Sequence, residues 1–426
     1  MALLVFFGVL AVLLVIGVPV GISLIGCAIA LMTFLGMFNP SVIAQQMVTA
    51  SNSAALMAIP FFMFAGEIMA RGGLSKRIVD SANVFVGRIR GGLGYVAVLA
   101  SIIFSGLSGS AIADAAALGA ILIPLMEQNG YSKERSVGLI CSASITAPII
   151  PPSIPMIVLG TTVGLSISRL FMSGIIPGIF IGICLMIAWS IVVRKDGLTD
   201  QAHFEKGEAR HILFTSIPAL VLPIFIIVGI RFGVFTPTEA GAFAVVYAIL
   251  ICLFVYRELN FKELMDVCME AAKSTSTVML IVASASAVGW FITIAQIPKL
   301  LISYAGPLIG HPMLLLFIIN IFLFLMGMVL DVSPNILIFA PVLFPLIEAA
   351  GIDPYVFALI MCFNLCLGLL TPPVGIVLYI GCSITNLPLG RIVKGVIPFL
   401  VIQVVILILF ILFPGIFITA PLNLLM

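Results

Sequence analysis

Apolar runs long enough to cross a bilayer core as a helix, which takes about 20 residues, follow one another along almost the whole chain, separated by short polar or Gly/Pro-containing breaks. The runs near 2–17, 20–38, 53–70, 134–166, 169–193, 212–231, 237–256, 273–294, 354–386 and 391–414 predict spanning helices. Two further apolar stretches, 92–127 and 312–348, are each about 36 residues long. They are broken centrally, by Gly106-Leu107-Ser108-Gly109-Ser110 in one and Asp331-Val332-Ser333-Pro334-Asn335 in the other. Half of such a stretch rises about 27 Å, barely a span, so each predicts a re-entrant hairpin with a polar tip. Segment 74–90 alternates apolar and basic residues and predicts an amphipathic helix on the membrane surface, with 258–272 similar.

Composition agrees with lipid as the main solvent. Hydrophobic residues make up 62% of the 426 positions and charged residues 8%, against roughly 25% charged in a soluble domain. No Lys, Arg, Asp or Glu precedes Glu67, so the apolar N-terminus lacks the basic region of a cleaved signal peptide and predicts retained helices. The net charge of +2 implies neither a nucleic acid nor an acidic partner. The basic residues set orientation instead, since Lys and Arg collect on the cytoplasmic side. With the N-terminus outside, two hairpins and ten crossings place Arg71, Lys76, Arg77, Arg88, Arg90, Lys133 and Arg135 inside, then Arg194, Lys195, Lys206, Arg210, Arg257, Lys262, Arg391 and Lys394. Arg231 and Lys299 fall outside. Both termini are then periplasmic, and the polar connector 194–211 is cytoplasmic. Eight scattered cysteines without a CxxC pair read as inert core thiols, although Cys362 and Cys366 share a helix face.

The chain also matches itself at a constant offset of 221 residues. Pro124 falls on Pro345, Glu127 on Glu348, Gly130 on Gly351, Pro151-Pro152 on Pro372-Pro373, Gly160 on Gly381, Gly174 on Gly395 and Pro177 on Pro398. Each half, 1–193 and 212–426, holds five crossings and one hairpin, and an odd number of crossings turns the second half upside down. The expected fold is an all-α polytopic membrane protein of two inverted repeats. Each repeat has scaffold helices (1–90; 212–294), a hairpin (92–127; 312–348), a broken helix (134–166; 354–386) and a closing helix (169–193; 391–414).

Inverted repeats with interrupted helices characterise secondary transporters, whose sites lie where unwound backbone meets near the midplane. The run from Thr146 through Pro148, Pro151 and Pro152 to Pro155 removes amide donors and clashes with preceding carbonyls, so helix 134–166 cannot be continuous. Leu370-Thr371-Pro372-Pro373-Val374-Gly375 is its counterpart. Carbonyls freed there must face protein or a polar cavity, and carbonyl oxygens suit a hard cation. At the tips, Ser105, Ser108 and Ser110 offer hydroxyls, and Gly106 and Gly109 permit close backbone approach. Asp331, Ser333 and Asn335 hold the related place, Asp331 matching Ser110 and Asn335 matching Asp114. The helix N-termini at the tips favour an anionic group.

Simpler readings compete at each position. Small residues in membrane helices usually serve close packing, and Asp114 or Asp331 could cap a hairpin arm, despite the cost of about 2.5–3.5 kcal/mol for a carboxylate at depth. Glu239, after Pro237, reads as a first-turn cap. Asn364 either faces the cavity or bonds a neighbouring helix. Gly106-Leu107-Ser108-Gly109 fits the GxSG of intramembrane serine proteases, but His203, His211 and His311 all lie outside helix centres, where no base could serve. HExxH and nucleotide motifs are absent from the sequence, which argues against a metalloprotease or an ATP-driven pump. Two deep helix breaks fit alternating access better than a continuous pore.

Several segments carry a family resemblance: Ile59-Pro60-Phe61-Phe62-Met63-Phe64-Ala65-Gly66-Glu67, Arg71-Gly72-Gly73, Gly106 to Asp114, Thr236-Pro237-Thr238-Glu239-Ala240-Gly241 and Thr371-Pro372-Pro373-Val374-Gly375. In order and spacing the chain resembles, along essentially its whole length, the large membrane subunit of tripartite ATP-independent periplasmic (TRAP) transporters. The resemblance implies a sodium-coupled, elevator-type importer of small organic acids in a bacterial inner membrane. It implies two partners, a four-helix small membrane subunit and a periplasmic substrate-binding protein, and no organic cofactor. It also implies Na⁺ where tips meet breaks: Ser105 to Ser110, with Ser105 and Ser108 as ligands, against Thr146 to Pro152, and Asp331 and Asn335 against Gly368, Thr371, Pro372 and Val374. A stand-alone sodium/divalent-anion symporter of similar architecture is the alternative.

Overall fold

The computed structural model describes residues 1–196 and 207–425, so the connector reading, His203 included, lies largely outside the described residues. Among the described residues the regular structure is all helix, joined by turns and short loops. The chain opens with α1 (Ala2–Val15), α2 (Val20–Phe34), α3 (Pro40–Ser51), α4 (Ala58–Arg71) and α5 (Leu74–Val86). A helix–turn–helix of α6 (Gly92–Ser108) and α7 (Ala111–Gln128) follows, then the interrupted pair α8 (Lys133–Ser144) and α9 (Ile154–Val163), and the long α10 (Ile167–Asp196). The rest comprises α11 (Glu208–Arg231), α12 (Pro237–Leu250), α13 (Phe261–Ile294), the short α14 (Ile297–Tyr304) and α15 (Gly306–Ile309), the helix–turn–helix α16 (Pro312–Gly327) and α17 (Val332–Ala349), the interrupted pair α18 (Pro354–Gly368) and α19 (Ile376–Thr385), α20 (Leu389–Leu412), and α21 (Ala420–Leu425). Among the described residues, seven helices are long and apolar enough to cross a membrane. This is a multi-pass membrane protein.

Shifting α7 by 221 residues lands on the bounds of α17. Packing follows the same correspondence. α7 lies against α19 while α17 lies against α9, and α8 lies against α20 while α10 lies against α18. The two C-terminal parts therefore interlock. Where α8 crosses α20, a side chain at Gly138 would strike the Gly395 backbone, and one at Gly395 the Glu134 carbonyl; glycine lets the helix axes approach to backbone contact. A second group forms the opposing wall: α13 packs along α2, α3 and α4, and α4 on α12.

Three elements differ from the sequence reading. The amphipathic stretch 258–272 and the span 273–294 are one helix, α13, of 34 residues. Asn260 and Glu263 close a capping box at its start, and nothing in the next 30 residues breaks it. The span read at 53–70 begins as helix only at Ala58, after turns at 52–57. The polar segment before it folds as α3, capped by Asn39 with Pro40 at its first position. Glu239 closes a capping box with Thr236 at the start of α12, the first-turn cap expected of it.

Candidate functional site

The first tip is built by local chemistry. α6 ends because Gly109 takes a left-handed conformation (φ +59°), and α7 starts because the Ser110 hydroxyl accepts from the Ala113 amide at 3.4 Å. One turn into α7, Asp114 is completely buried, and it is the one charged residue type in the buried set among the described residues. Its carboxylate accepts from the Ser108 hydroxyl and from Ser105 Oγ at 3.1 Å. Ser105 Oγ also lies 3.1 Å from Thr146 Oγ1, across the junction to the helix break. Ser108 thus serves the buried carboxylate, while the single Ser105 proton is shared between it and the Ser101 carbonyl, 2.6 Å from Ser105 Oγ.

The break between α8 and α9 is a turn in which the Ile149 and Ile150 amides both reach the Thr146 carbonyl at 2.9 Å. The cis Pro151-Pro152 bond follows. Ser153 then restarts the helix, donating to the Pro148 carbonyl at 2.6 Å and accepting from the Met156 amide at 3.2 Å. The tip sits directly on this backbone. A side chain at Gly109 would strike the Pro152 carbonyl oxygen, and a Cβ at Gly106 would lie 3.6 Å from that of Pro151. Ser105, Ser108, Asp114 and Thr146 make a buried cluster of side-chain oxygens, next to a tip seated on the Pro151 and Pro152 carbonyls, and oxygen donors of this kind fit a hard cation.

The second junction reuses the plan with different side chains. Asn335, matching Asp114, donates from Nδ2 to the carbonyls of Leu330 (3.0 Å), Asp331 (3.1 Å) and Met326 (3.3 Å). Its Oδ1 is buried without a hydrogen-bond partner. Asp331 stands at the N-cap of α17 without the capping hydrogen bond, and it lines the cavity. The Val374 amide reaches the Met328 carbonyl at 3.3 Å, and Gly368 lies against the Gly327 backbone. Thr371 turns its hydroxyl back to the Leu367 carbonyl at 2.9 Å. Asn364 stands elsewhere: its Nδ2 donates to the Asn320 side chain at 2.6 Å and main chain at 2.8 Å, both buried between α16 and α18. Pro151 and Pro152 are buried, whereas Pro372 and Pro373 are uncovered by the rest of the chain.

A cavity of about 760 Å³ connects the two tips, within the range of roughly 300–1,000 Å³ for small-molecule sites. One wall carries Ser108, Gly109 and Ser110 of the first tip, Asp331 and Ser333 of the second, and Pro148 of the first break. The opposite wall is α4 and α13, contributing Glu67, Arg71, Ser274 and Thr277. Sequence reasoning missed this second wall. A signal existed in Glu67, the first ionisable residue of the chain, in an apolar run; pairing α4 with α13 across about 200 residues needed the fold.

The chain matches the family described as "Tripartite ATP-independent periplasmic transporter, DctM component" over residues 7–416. It is 46% identical to the 2,3-diketo-L-gulonate TRAP transporter large permease protein YiaN of Escherichia coli, covering 98% of each chain. Identity is 38% to the C4-dicarboxylate large permease DctM of Pseudomonas aeruginosa (90% of this chain, 91% of that one). It is 35% to the sialic acid large permease SiaM of Vibrio cholerae (94% of each). The fold resembles the crystal structure of the Alcanivorax borkumensis YdaH transporter, with a TM-score of 0.59 at 16% identity over 89% of this chain and 88% of that one.

Proposed function

Because the chain belongs to the DctM-component family of tripartite ATP-independent periplasmic transporters, we propose that it is the permease of a sodium-coupled importer of a small organic acid, working in a bacterial inner membrane. It is a transporter subunit and not an enzyme. The observation that carries the proposal is the cavity faced by both tips on one side and by α4 and α13 on the other. The three relatives are named for carboxylates, which makes a sugar acid, a sialic acid or a C4-dicarboxylate the cargo class.

In this reading the two halves are inverted repeats. The re-entrant hairpins α6–α7 and α16–α17 and the broken helices α8–α9 and α18–α19 move as one block past a static wall containing α4 and α13. The interlocking of α7 with α19 and α9 with α17 supports a single body. Na⁺ is a co-substrate. Ser105, Ser108, Asp114 and Thr146 would hold one ion, and Asp331 with Asn335 a second, balancing the acid group of the cargo. Each net charge moved inward gains about 2.3 kcal/mol per 100 mV, so two Na⁺ with a monoanion would drive accumulation. The placement of Lys and Arg supports a periplasmic position for both termini. The word tripartite in the family description supports a small membrane subunit and a periplasmic binding protein as partners.

Reconstitution in proteoliposomes tests this. With both partners present, an inward sodium gradient is expected to drive uptake of labelled 2,3-diketo-L-gulonate, N-acetylneuraminate or succinate, and omission of the binding protein to abolish it. Uptake indifferent to sodium would overturn the coupling. Uptake by the chain alone would favour a stand-alone symporter.

A further inference from the structure

The cavity is unevenly charged. Of the residues lining it, Arg71 is the one cation, whereas Glu67 and Asp331 are acidic. Arg71 closes the last turn of α4, and its Nη2 is paired with the Glu270 carboxylate of α13. Glu270, Ser274 and Thr277 follow at i, i+4 and i+7 on one face of α13, and the last two line the cavity. A guanidinium presents five N–H donors in a fork. That pair uses one of them, and the Arg71 side chain remains 42% exposed. The single positive charge in a cavity that must receive an acid is therefore already engaged by a carboxylate from the protein, with donors to spare.

We propose that Arg71 is the anion-recognising side chain of the static wall and that Glu270 is its place-holder, giving up the guanidinium when the acid group of the cargo arrives. This rests on the proposed reading of the cavity as the cargo site. The Arg71 fork matches a carboxylate bidentately, and Ser274 and Thr277 line the same cavity with groups suited to the hydroxyls of a sugar acid. Glu270 holds the guanidinium at the cavity while cargo is absent, and because it competes for the same donors it keeps the cargo from being trapped there.

The test is equilibrium binding of the same three labelled acids to the purified chain with its small membrane subunit, in saturating NaCl and without binding protein. Arg71→Gln is expected to raise Kd about tenfold to a hundredfold, the loss of one charge-assisted contact. Glu270→Gln removes the competitor and is expected to lower Kd below wild type. A bridge that merely fastens α4 to α13 predicts the opposite pattern, in which both variants weaken binding equally and the swap Arg71→Glu/Glu270→Arg restores it. That pattern, or an Arg71→Gln variant binding like wild type, overturns the proposal. Should Arg71→Gln fail to fold, Glu270→Gln decides alone, since only a place-holder predicts tighter binding on its removal. A wild-type protein that binds none of the three acids overturns the cargo assignment itself, and this inference with it.

Discussion

Replacing Gly109 by Ala isolates the contact between the first tip and the first helix break. Two costs add. The residue sits at φ +59°, where an L side chain costs about 1–2 kcal/mol. The new methyl would strike the Pro152 carbonyl oxygen and would lie 3.1 Å from the Ile154 amide nitrogen and 3.2 Å from Ser153 Cα. All three are backbone atoms, which cannot swing aside as a flexible side chain does, and overpacking of this kind costs about 1–3 kcal/mol. The sum is about 2–5 kcal/mol. Gly130 supplies the control. It too has positive φ (+84°), but nothing lies within 4 Å of its Cβ position, so Gly130→Ala should incur only the backbone cost of about 1–2 kcal/mol. Thermal unfolding of the purified proteins, followed by tryptophan fluorescence, should give a clearly lower midpoint for Gly109→Ala than for Gly130→Ala. Sodium-dependent uptake should be lost in the former and kept in the latter. Equal midpoints and equal uptake would refute the idea that the tip is seated on the backbone of the break.

Asp331→Ala, and separately the pair Ser108→Ala with Ser110→Ala, should abolish sodium-dependent uptake while leaving membrane insertion intact, as judged by protein abundance in isolated membranes; uptake that kept wild-type sodium dependence would place the ion sites elsewhere. Asn364→Leu should destabilise the fold by about 1–3 kcal/mol by stranding buried Asn320 without its partner. The double variant Asn320→Leu/Asn364→Leu should recover much of that loss in a double-mutant cycle of unfolding midpoints. Additive losses would mean that the pair is not coupled.

The helix breaks and the tips were legible because they are written in residues with few conformational options. Proline cannot donate within a helix and glycine alone turns left-handed without cost, so Pro148, Pro151, Pro152 and Gly109 announce their geometry locally. The fusion of 258–272 with 273–294 was not legible, because amphipathic and apolar periodicity describe which side of a helix meets lipid, not where the helix ends. The destinations of polar side chains were legible only in part. Asp114 meets Ser105 and Ser108 from within the same helix pair, close in sequence, whereas Asn364 finds Asn320 44 residues away and is drawn out of the cavity. The α4–α13 wall depends on packing between segments about 200 residues apart, which no local pattern records.

Pro151-Pro152 lies under cover while Pro372-Pro373, its equivalent 221 positions on, is bare. Two halves of one plan thus occupy unlike surroundings, and trading those surroundings needs no new fold: it would seal the second proline pair and open the first. On the proposed alternating-access reading, each half would serve as a template for what the other becomes when the molecule faces the opposite way. Thiol labelling of Ile150→Cys against Thr371→Cys would then be a compass needle for that orientation, and reactivity that stays on one site whatever the cargo would refute the exchange.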